Sequence, residues 1–181
     1  RPRDHKLIQI YNYKKKNKKL WCTFSHDQID LNFKDPFVLI EFIEIVLLLL
    51  SKGVTTFRLD AVAFIWKKNG TSCVNLPETH EIVKLLRLIV NYINPHALIV
   101  TETNLPRKEN LSYFGNNDEA NWIYNFPLPP LILYTFLFED SSKISGWSKS
   151  MPPAQINNAY LNFIASHDAV SYTHLTLPTT Y

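Results

Sequence analysis

The chain has 181 residues, of which 46% are hydrophobic and 13% aromatic, and its formal net charge is only +3. This composition is that of one globular domain; it excludes a disordered chain and argues against nucleic acid as a partner. Its two cysteines are too few for a disulfide scaffold and lack metal-ligand spacing, so we expect reduced thiols, no bound metal and a cytoplasmic location.

The first feature along the chain is a basic run formed by Lys14, Lys15, Lys16, Lys18 and Lys19. An isolated run of this kind is typical of a solvated loop or hairpin tip, and we interpret it as such rather than as a binding patch. The chain opens with Arg-Pro-Arg and shows no signal-peptide pattern. We therefore expect it to be a piece of a longer protein.

An apolar run follows and predicts a helix over residues 37–51, with Gly53 suited to its C-terminal cap. The run is too short to span a bilayer, and Glu41 and Glu44 interrupt it at helical spacing. We therefore expect a buried amphipathic helix and no membrane as a partner.

Strand and helix patterns alternate over the rest of the chain. The predicted strands cover residues 54–60, 97–101, 122–126 and 160–165, and the predicted helices cover 78–93 and 129–138. This alternation predicts an α/β fold with parallel βαβ units and right-handed crossovers. A doubly wound sheet and a (β/α)8 barrel both fit it. We favour the barrel because the phosphate-binding glycine signature of a first doubly wound strand is absent and the chain has only four glycines.

Three acidic residues, Asp60, Glu102 and Asp168, each follow an apolar, β-branched run. In a barrel, the C-terminal ends of the strands form the face that carries the active site. Adjacent strands are about 4.8 Å apart, so two such carboxyl groups can approach the roughly 5–5.5 Å separation used by retaining glycosidases. The pattern therefore indicates glycosyl transfer.

Two of these acids have informative neighbours. Arg58 lies two residues before Asp60, so both side chains point to the same side of a strand, where the guanidinium would keep the carboxylate ionised and aimed. An ordinary buried ion pair is the alternative. Glu102 follows the apolar run 97–100, and desolvation there would raise its pKa, as a general acid near neutral pH requires. The alternative is an acid that only caps a strand end.

These motifs together resemble the α-amylase superfamily of retaining glycoside-active enzymes (glycoside hydrolase family 13). The resemblance is greater to its branch of sucrose phosphorylase and glucosylglycerate phosphorylase-like members. Four motifs fall in the family's order: QIDLN (28–32), FRLDAV (57–62), the strand that ends in Glu102, and SHD (166–168). Three more are similar to the phosphorylase branch: GTSC (70–73), TETNLPRKENLSYFG (101–115) and NFPLPPLIL (125–133).

The resemblance implies a fold and a set of roles. The fold is a partial (β/α)8 TIM barrel over residues 1–169, roughly strands 4 to 7 with their helices. Asp60 would be the nucleophile, Glu102 the general acid/base and Asp168 a third carboxylate that binds sugar hydroxyls. Arg58 would orient Asp60, and His167 would contact the glucosyl hydroxyls, although by itself His167 is more typical of a structural strand-end histidine.

The implied activity is phosphorolysis with retention of configuration. A glucosyl unit would pass from an α-glucoside of the sucrose or glucosylglycerate type through a covalent glucosyl-enzyme to inorganic phosphate, a co-substrate rather than a cofactor. The implied partners are thus a small sugar or glucoside and phosphate. An α-glucosidase or transglucosidase of the same superfamily, and a non-catalytic amylase-fold binding protein, are the alternatives. Because the family's other strands have no counterpart here, we expect this polypeptide alone to be inactive.

The end of the chain, residues 170–181, reads VSYTHLTLPTTY and resembles translated sequencing-adapter sequence. We therefore expect this segment to be foreign to the fold. A genuine polar loop is the alternative.

Overall fold

The structure is a computed structural model that describes residues 6–152 and 158–167. Asp168 and the predicted foreign tail 170–181 lie outside the described residues. The elements, in chain order, are β1 (Ile8–Tyr13), β2 (Lys16–Trp21), α1 (Pro36–Ser51), β3 (Thr56–Leu59), α2 (Pro77–Ile93), β4 (Leu98–Thr101), α3 (Arg107–Ser112), β5 (Trp122–Tyr124), α4 (Leu128–Phe138), α5 (Ser142–Ser150) and β6 (Ala159–Leu161).

The main sheet consists of β3, β4, β5 and β6, which are parallel and follow one another in the order of the sequence. A doubly wound sheet reverses its strand order at a switch point, whereas a barrel adds each new strand on the same side. The order observed here is that of a barrel arc. The predicted parallel βαβ units are confirmed.

Alternation along β3 separates the two faces of this sheet. Phe57 and Leu59 are buried, at 8% and 9% exposure, while Arg58 between them is open to solvent. The buried face packs on α2 through Ile82 and Leu86, which belong to the same hydrophobic core. The opposite face, which a closed barrel would turn inward, presents Arg58 at the C-terminal end of the strand.

The three predicted helices are confirmed within one residue. The strand predicted over 97–101 ends at Thr101 as expected, but the other three predicted strands end earlier than predicted. After β3 the backbone leaves the sheet at Ala61, whose φ of +46° is left-handed, and a single 3-10 turn follows over Val62–Phe64. The apolar pattern continues beyond Leu59, because these residues pack in the core without pairing in the sheet. Two short helices, α3 and α5, were not predicted.

Helix α1 is less buried than the sequence predicts. Asp35 caps its N-terminus by accepting a hydrogen bond of 3.0 Å from the backbone N–H of Phe37. Val46 is its one fully buried residue, and Phe37 and Leu48 are 78% and 57% exposed. The predicted burial is therefore wrong for one face of the helix, which has no neighbour among the described residues. None of the helices in the described ranges is both long and apolar enough to cross a bilayer.

The basic run forms one end of an antiparallel hairpin made by β1 and β2. Lys14 and Lys15 occupy its two-residue tip with φ values of +48° and +61°, and Lys16, Lys18 and Lys19 continue into β2. All five lysines are exposed, as expected of a solvated turn. The two cysteines, Cys22 and Cys73, are buried and form no disulfide.

Candidate active site

Asp60 and Glu102 lie at the same level on neighbouring strands. Leu59 and Thr101 are partners in the parallel register of β3 and β4, and each acid is the next residue along its strand. The backbone N–H of Glu102 donates to the carbonyl of Leu59 at 3.0 Å. The sheet register therefore brings together two carboxyl groups that the sequence separates, at the edge where barrel enzymes carry their chemistry.

Arg58 bridges the two acids. Its Nη1 lies 2.8 Å from Asp60 Oδ1 and its Nη2 lies 2.6 Å from Glu102 Oε1. The three side chains differ in burial: Asp60 is 67% exposed, Arg58 34% and Glu102 only 10%. The expected contact between Arg58 and Asp60 is present, and the same guanidinium also holds Glu102. The ring of Tyr124 faces the guanidinium, with the Arg58 Cζ 5.5 Å from the ring centroid.

The surroundings of Glu102 favour its protonated form. Burial raises the pKa of Glu102, and a hydrogen bond with Asp60 raises it further, while Arg58 and the backbone N–H of Ala61 act in the opposite direction. The net shift of this pKa is upward. The sequence-based expectation of a desolvated carboxyl at this position is thus confirmed.

The charge of the acid pair also acts on Arg58. Burial would lower the pKa of Arg58, but its hydrogen bond to Glu102 and the charges of Glu102 and Asp60 raise it overall. The guanidinium therefore stays charged, and it provides a fixed positive charge between the two acids.

The left-handed turn at Ala61 adds one more donor to the site. Its backbone N–H points at Glu102 Oε2 with a separation of 3.3 Å. Because Asp60 immediately precedes this turn, the same backbone geometry that ends β3 leaves the Asp60 carboxylate exposed. The result is one open carboxylate beside one buried carboxyl.

The two remaining predicted site residues lie beyond β6. His167 is the last described residue of the chain and is exposed. Asp168 lies outside the described residues, so its proposed role stays a prediction. In the sheet, β5 lies between β4, which leads to Glu102, and β6, which leads towards His167.

The sequence did not predict the buried hydrogen bonds that begin at Thr103, the residue after Glu102. The hydroxyl of Thr103 donates to the Asn110 Oδ1, and the Asn110 Nδ2 donates to the carbonyl of Tyr124 at 3.0 Å. Thr103 and Asn110 are 1% and 8% exposed. All three lie in or near motifs that were noted for their resemblance, but no periodicity or spacing signals a buried amide on α3.

Asp60 and Arg58 also border a cavity of about 460 Å³ that runs beside β3. Most of its walls are apolar side chains, among them Phe24, Phe33 and Leu86. Such walls suit the packing of other apolar groups and offer few hydrogen bonds to sugar hydroxyls. We therefore place the chemistry at the polar strand ends and not in this cavity.

Within the described ranges, no group of three or more histidine, cysteine or acidic side chains is arranged to hold a metal ion. The arrangement that is present is a pair of carboxyl groups with unequal burial, joined by a fixed cation. A pair of this kind can supply a nucleophile and a proton donor to the two sides of one bond.

Comparison with known proteins identifies the family of the chain. Residues 9–173 match the Alpha-amylase family, described as "Alpha amylase, catalytic domain". The chain belongs to the alpha-amylase family. The four parallel strands and their helices are accordingly part of the catalytic (β/α)8 barrel of that family, which confirms the predicted fold class.

Individual family members are similar over most of the chain. It is 47% identical over 171 residues to the glucosylglycerate phosphorylase of Allomeiothermus silvanus, a match that covers 94% of this chain and 31% of that protein. It is 34% identical over 157 residues to the trehalose synthase of Thermus thermophilus, covering 86% of this chain and 16% of that protein.

A solved structure of the family is also similar. The crystal structure of sucrose 6F-phosphate phosphorylase from Thermoanaerobacter thermosaccharolyticum superposes with a TM-score of 0.71 at 25% identity, covering 82% of this chain and 31% of that one. The chain thus spans about a third of the length of either phosphorylase.

Proposed function

We propose that the protein to which this segment belongs is a retaining α-glucoside phosphorylase. The observation that carries the proposal is the bridge from Arg58 to both Asp60 and Glu102 at the ends of adjacent parallel strands. Phosphorolysis in particular is supported by the 47% identity to a glucosylglycerate phosphorylase. The proposed donor is an α-glucoside of the glucosylglycerate or sucrose type.

In the first step, the Asp60 carboxylate attacks the anomeric carbon of the donor. The bond between that carbon and the aglycone oxygen breaks as protonated Glu102 gives its proton to the departing oxygen. The products are the free aglycone alcohol and a glucosyl ester on Asp60, in which the configuration at the anomeric carbon is inverted. The exposed position of Asp60 leaves room for the sugar, and the raised pKa of Glu102 keeps its proton available.

In the second step, the charge balance of the pair is different. Ester formation removes the negative charge of Asp60, while Arg58 remains beside Glu102 and stabilises its carboxylate. A phosphate oxygen then attacks the anomeric carbon, any proton that it loses passes to Glu102, and the ester bond breaks. Glucose 1-phosphate leaves with the α configuration of the donor. Asp168 and His167 are proposed to bind the sugar hydroxyls during both steps.

A transglucosidase is the second candidate, and one observation favours it. The chain is 34% identical over 157 residues to the trehalose synthase of Thermus thermophilus. The acid pair performs the first step in the same way for either enzyme, so the choice depends on what attacks the glucosyl ester. A non-catalytic binding protein is less well supported, since both described acids and their bridging arginine are present.

The test is an acceptor experiment on the full-length protein. It is incubated with glucosylglycerate, sucrose or trehalose, each with and without inorganic phosphate, and glucose 1-phosphate, free glucose and transfer products are measured. We expect glucose 1-phosphate to form from one of the first two donors only when phosphate is present. Turnover that is equal without phosphate, with glucose or a new disaccharide as the product, would exclude the phosphorylase.

A further inference from the structure

We propose that Asn110 is a positioning residue that holds Glu102 in reach of the reacting bond. This inference rests on the proposed role of Glu102 as general acid/base. Asn110 lies on α3, touches neither acid in the proposed mechanism, and acts through Thr103 and Tyr124.

The Asn110 amide uses both of its polar groups in hydrogen bonds. Its oxygen accepts a hydrogen bond from the Thr103 hydroxyl, and its NH₂ group donates to the Tyr124 carbonyl. The side chain is 8% exposed, so water is not available to replace either bond. An amide can accept on one side and donate on the other without carrying a charge.

These two hydrogen bonds connect Asn110 to both sides of Glu102. Thr103 directly follows Glu102, so its anchorage fixes the backbone from which the acid projects. Tyr124 is the last residue of β5, and its ring faces Arg58, which in turn binds Glu102 at 2.6 Å. The contacts form a closed ring that runs through Glu102, Thr103, Asn110, Tyr124 and Arg58.

The closed ring explains how Asn110 can affect chemistry without touching substrate. One side of the ring holds the Glu102 backbone, and the other side holds the guanidinium that binds its carboxylate. If Asn110 releases either side, Glu102 moves relative to Arg58 and Asp60. A displacement of about 1 Å at a proton donor is expected to lower the rate by roughly 100-fold.

The experiment compares two glucosyl donors in the full-length protein. A natural α-glucoside needs a proton from Glu102 to release its alkoxide, whereas α-glucosyl fluoride releases fluoride without proton transfer. In both, a bond forms from Asp60 to the anomeric carbon. The fluoride burst in the first turnover therefore reports on Asp60 and sugar binding, and glucoside turnover also reports on Glu102.

Asn110→Leu retains the approximate shape and removes both hydrogen bonds without adding a charge, while Thr103→Val removes the hydroxyl and retains the shape. Thr103→Ser restores the hydroxyl and is the rescue variant. The matched control is Asn121→Ala. Asn121 is a buried amide, 4% exposed, and it accepts a hydrogen bond of 2.8 Å from the backbone N–H of Ile99. Ile99 belongs to β4, the strand that leads to Glu102, but it lies near the start of that strand.

We expect Asn110→Leu and Thr103→Val to lower kcat for the glucoside roughly 10- to 100-fold with little change in KM, and to leave the rate of the fluoride burst within about twofold. Thr103→Ser and Asn121→Ala should leave both readouts near the wild-type values per mole of folded protein. Equal loss of both readouts, or loss of neither, in the Asn110 and Thr103 variants would overturn the inference. A wild-type protein that releases no fluoride from α-glucosyl fluoride would instead overturn the proposed function, and the inference with it.

Discussion

The Lys67 Nζ lies 2.6 Å from Asp30 Oδ2, and both side chains are largely buried, at 14% and 15% exposure. Asp30 also accepts hydrogen bonds from the backbone N–H and the hydroxyl of Thr23, at 2.9 and 2.5 Å. Lys67 belongs to the loop that follows the proposed nucleophile Asp60. The pair therefore ties the segment before α1 to the loop beside the acid pair.

This ion pair is expected to matter for stability because both of its side chains are largely removed from water. We expect Lys67→Met to leave Asp30 buried without its cation and to lower the free energy of unfolding by about 2–4 kcal/mol. The measurement is urea unfolding of the full-length protein. Lys68→Met is the matched control, since Lys68 pairs with Glu78 at 2.9 Å but is 55% exposed, and it should have little effect. Equal effects of the two substitutions would show that the Lys67 pair is not desolvated.

Replacement of the proposed nucleophile should abolish glycosyl transfer. Asp60→Asn retains the shape and removes the attacking carboxylate, so kcat should fall by at least about 10³-fold in the full-length protein. The control is Asp35→Asn, because Asn caps a helix N-terminus as well as Asp does, and turnover should not change. Retained activity in Asp60→Asn would mean that the nucleophile is misassigned.

The pH dependence of kcat/KM should report on Glu102. Activity should fall as the pH rises through the pKa of Glu102, because the general acid loses its proton, and the raised pKa extends activity beyond the range of an ordinary glutamic acid. The charge of Arg58 lowers this pKa, so Arg58→Met should move the alkaline limb to higher pH, whereas Arg58→Lys retains a charge and should move it less. A limb that stays in place in Arg58→Met would show that another group controls it.

Two glycines should respond in opposite directions to the same substitution. Gly115 has a φ of +55°, and a Cβ there would collide with the Asp118 carboxylate and lie 2.9 Å from the Glu119 Oε1. Gly115→Ala should therefore destabilise the fold by about 1–3 kcal/mol. Gly146 lies in α5, and a Cβ added there would have no other group within 4 Å. Gly146→Ala should therefore stabilise that helix by about 0.5–1 kcal/mol. The measurement is the midpoint of thermal unfolding of each variant compared with wild type. A higher midpoint for Gly115→Ala would contradict the packing around Glu119.

The part of the site that was predictable from the sequence is the part encoded by local pattern. Asp60 and Glu102 follow apolar β-branched runs, and the rule that parallel strands present their C-terminal ends together brings them to one edge. The contact of Arg58 with Asp60 followed from spacing along one strand. Its second contact, with Glu102, depends on the register of β3 against β4, which no single-strand pattern determines.

The part that was not predictable depends on contacts between distant elements. Helix α3 has six residues, RKENLS, with no apolar stripe, so propensity and periodicity both fail to indicate it. Asn110 is buried there because Thr103 and Tyr124 satisfy its amide, and such satisfaction is visible only in three dimensions. The exposed face of α1 is the reverse case, in which a correctly predicted helix lacks described neighbours that would bury it.

The sequential strand order also has a consequence for how this region folds. Every strand of the sheet pairs first with the next strand along the chain, so the sheet can grow one βα unit at a time as the polypeptide leaves the ribosome. The acid pair and its bridging arginine belong to β3 and β4 alone. Asp60 and Glu102 can thus meet before the β6 segment with His167 has been synthesised, and the ring through Asn110 and Tyr124 can close as soon as β5 is added.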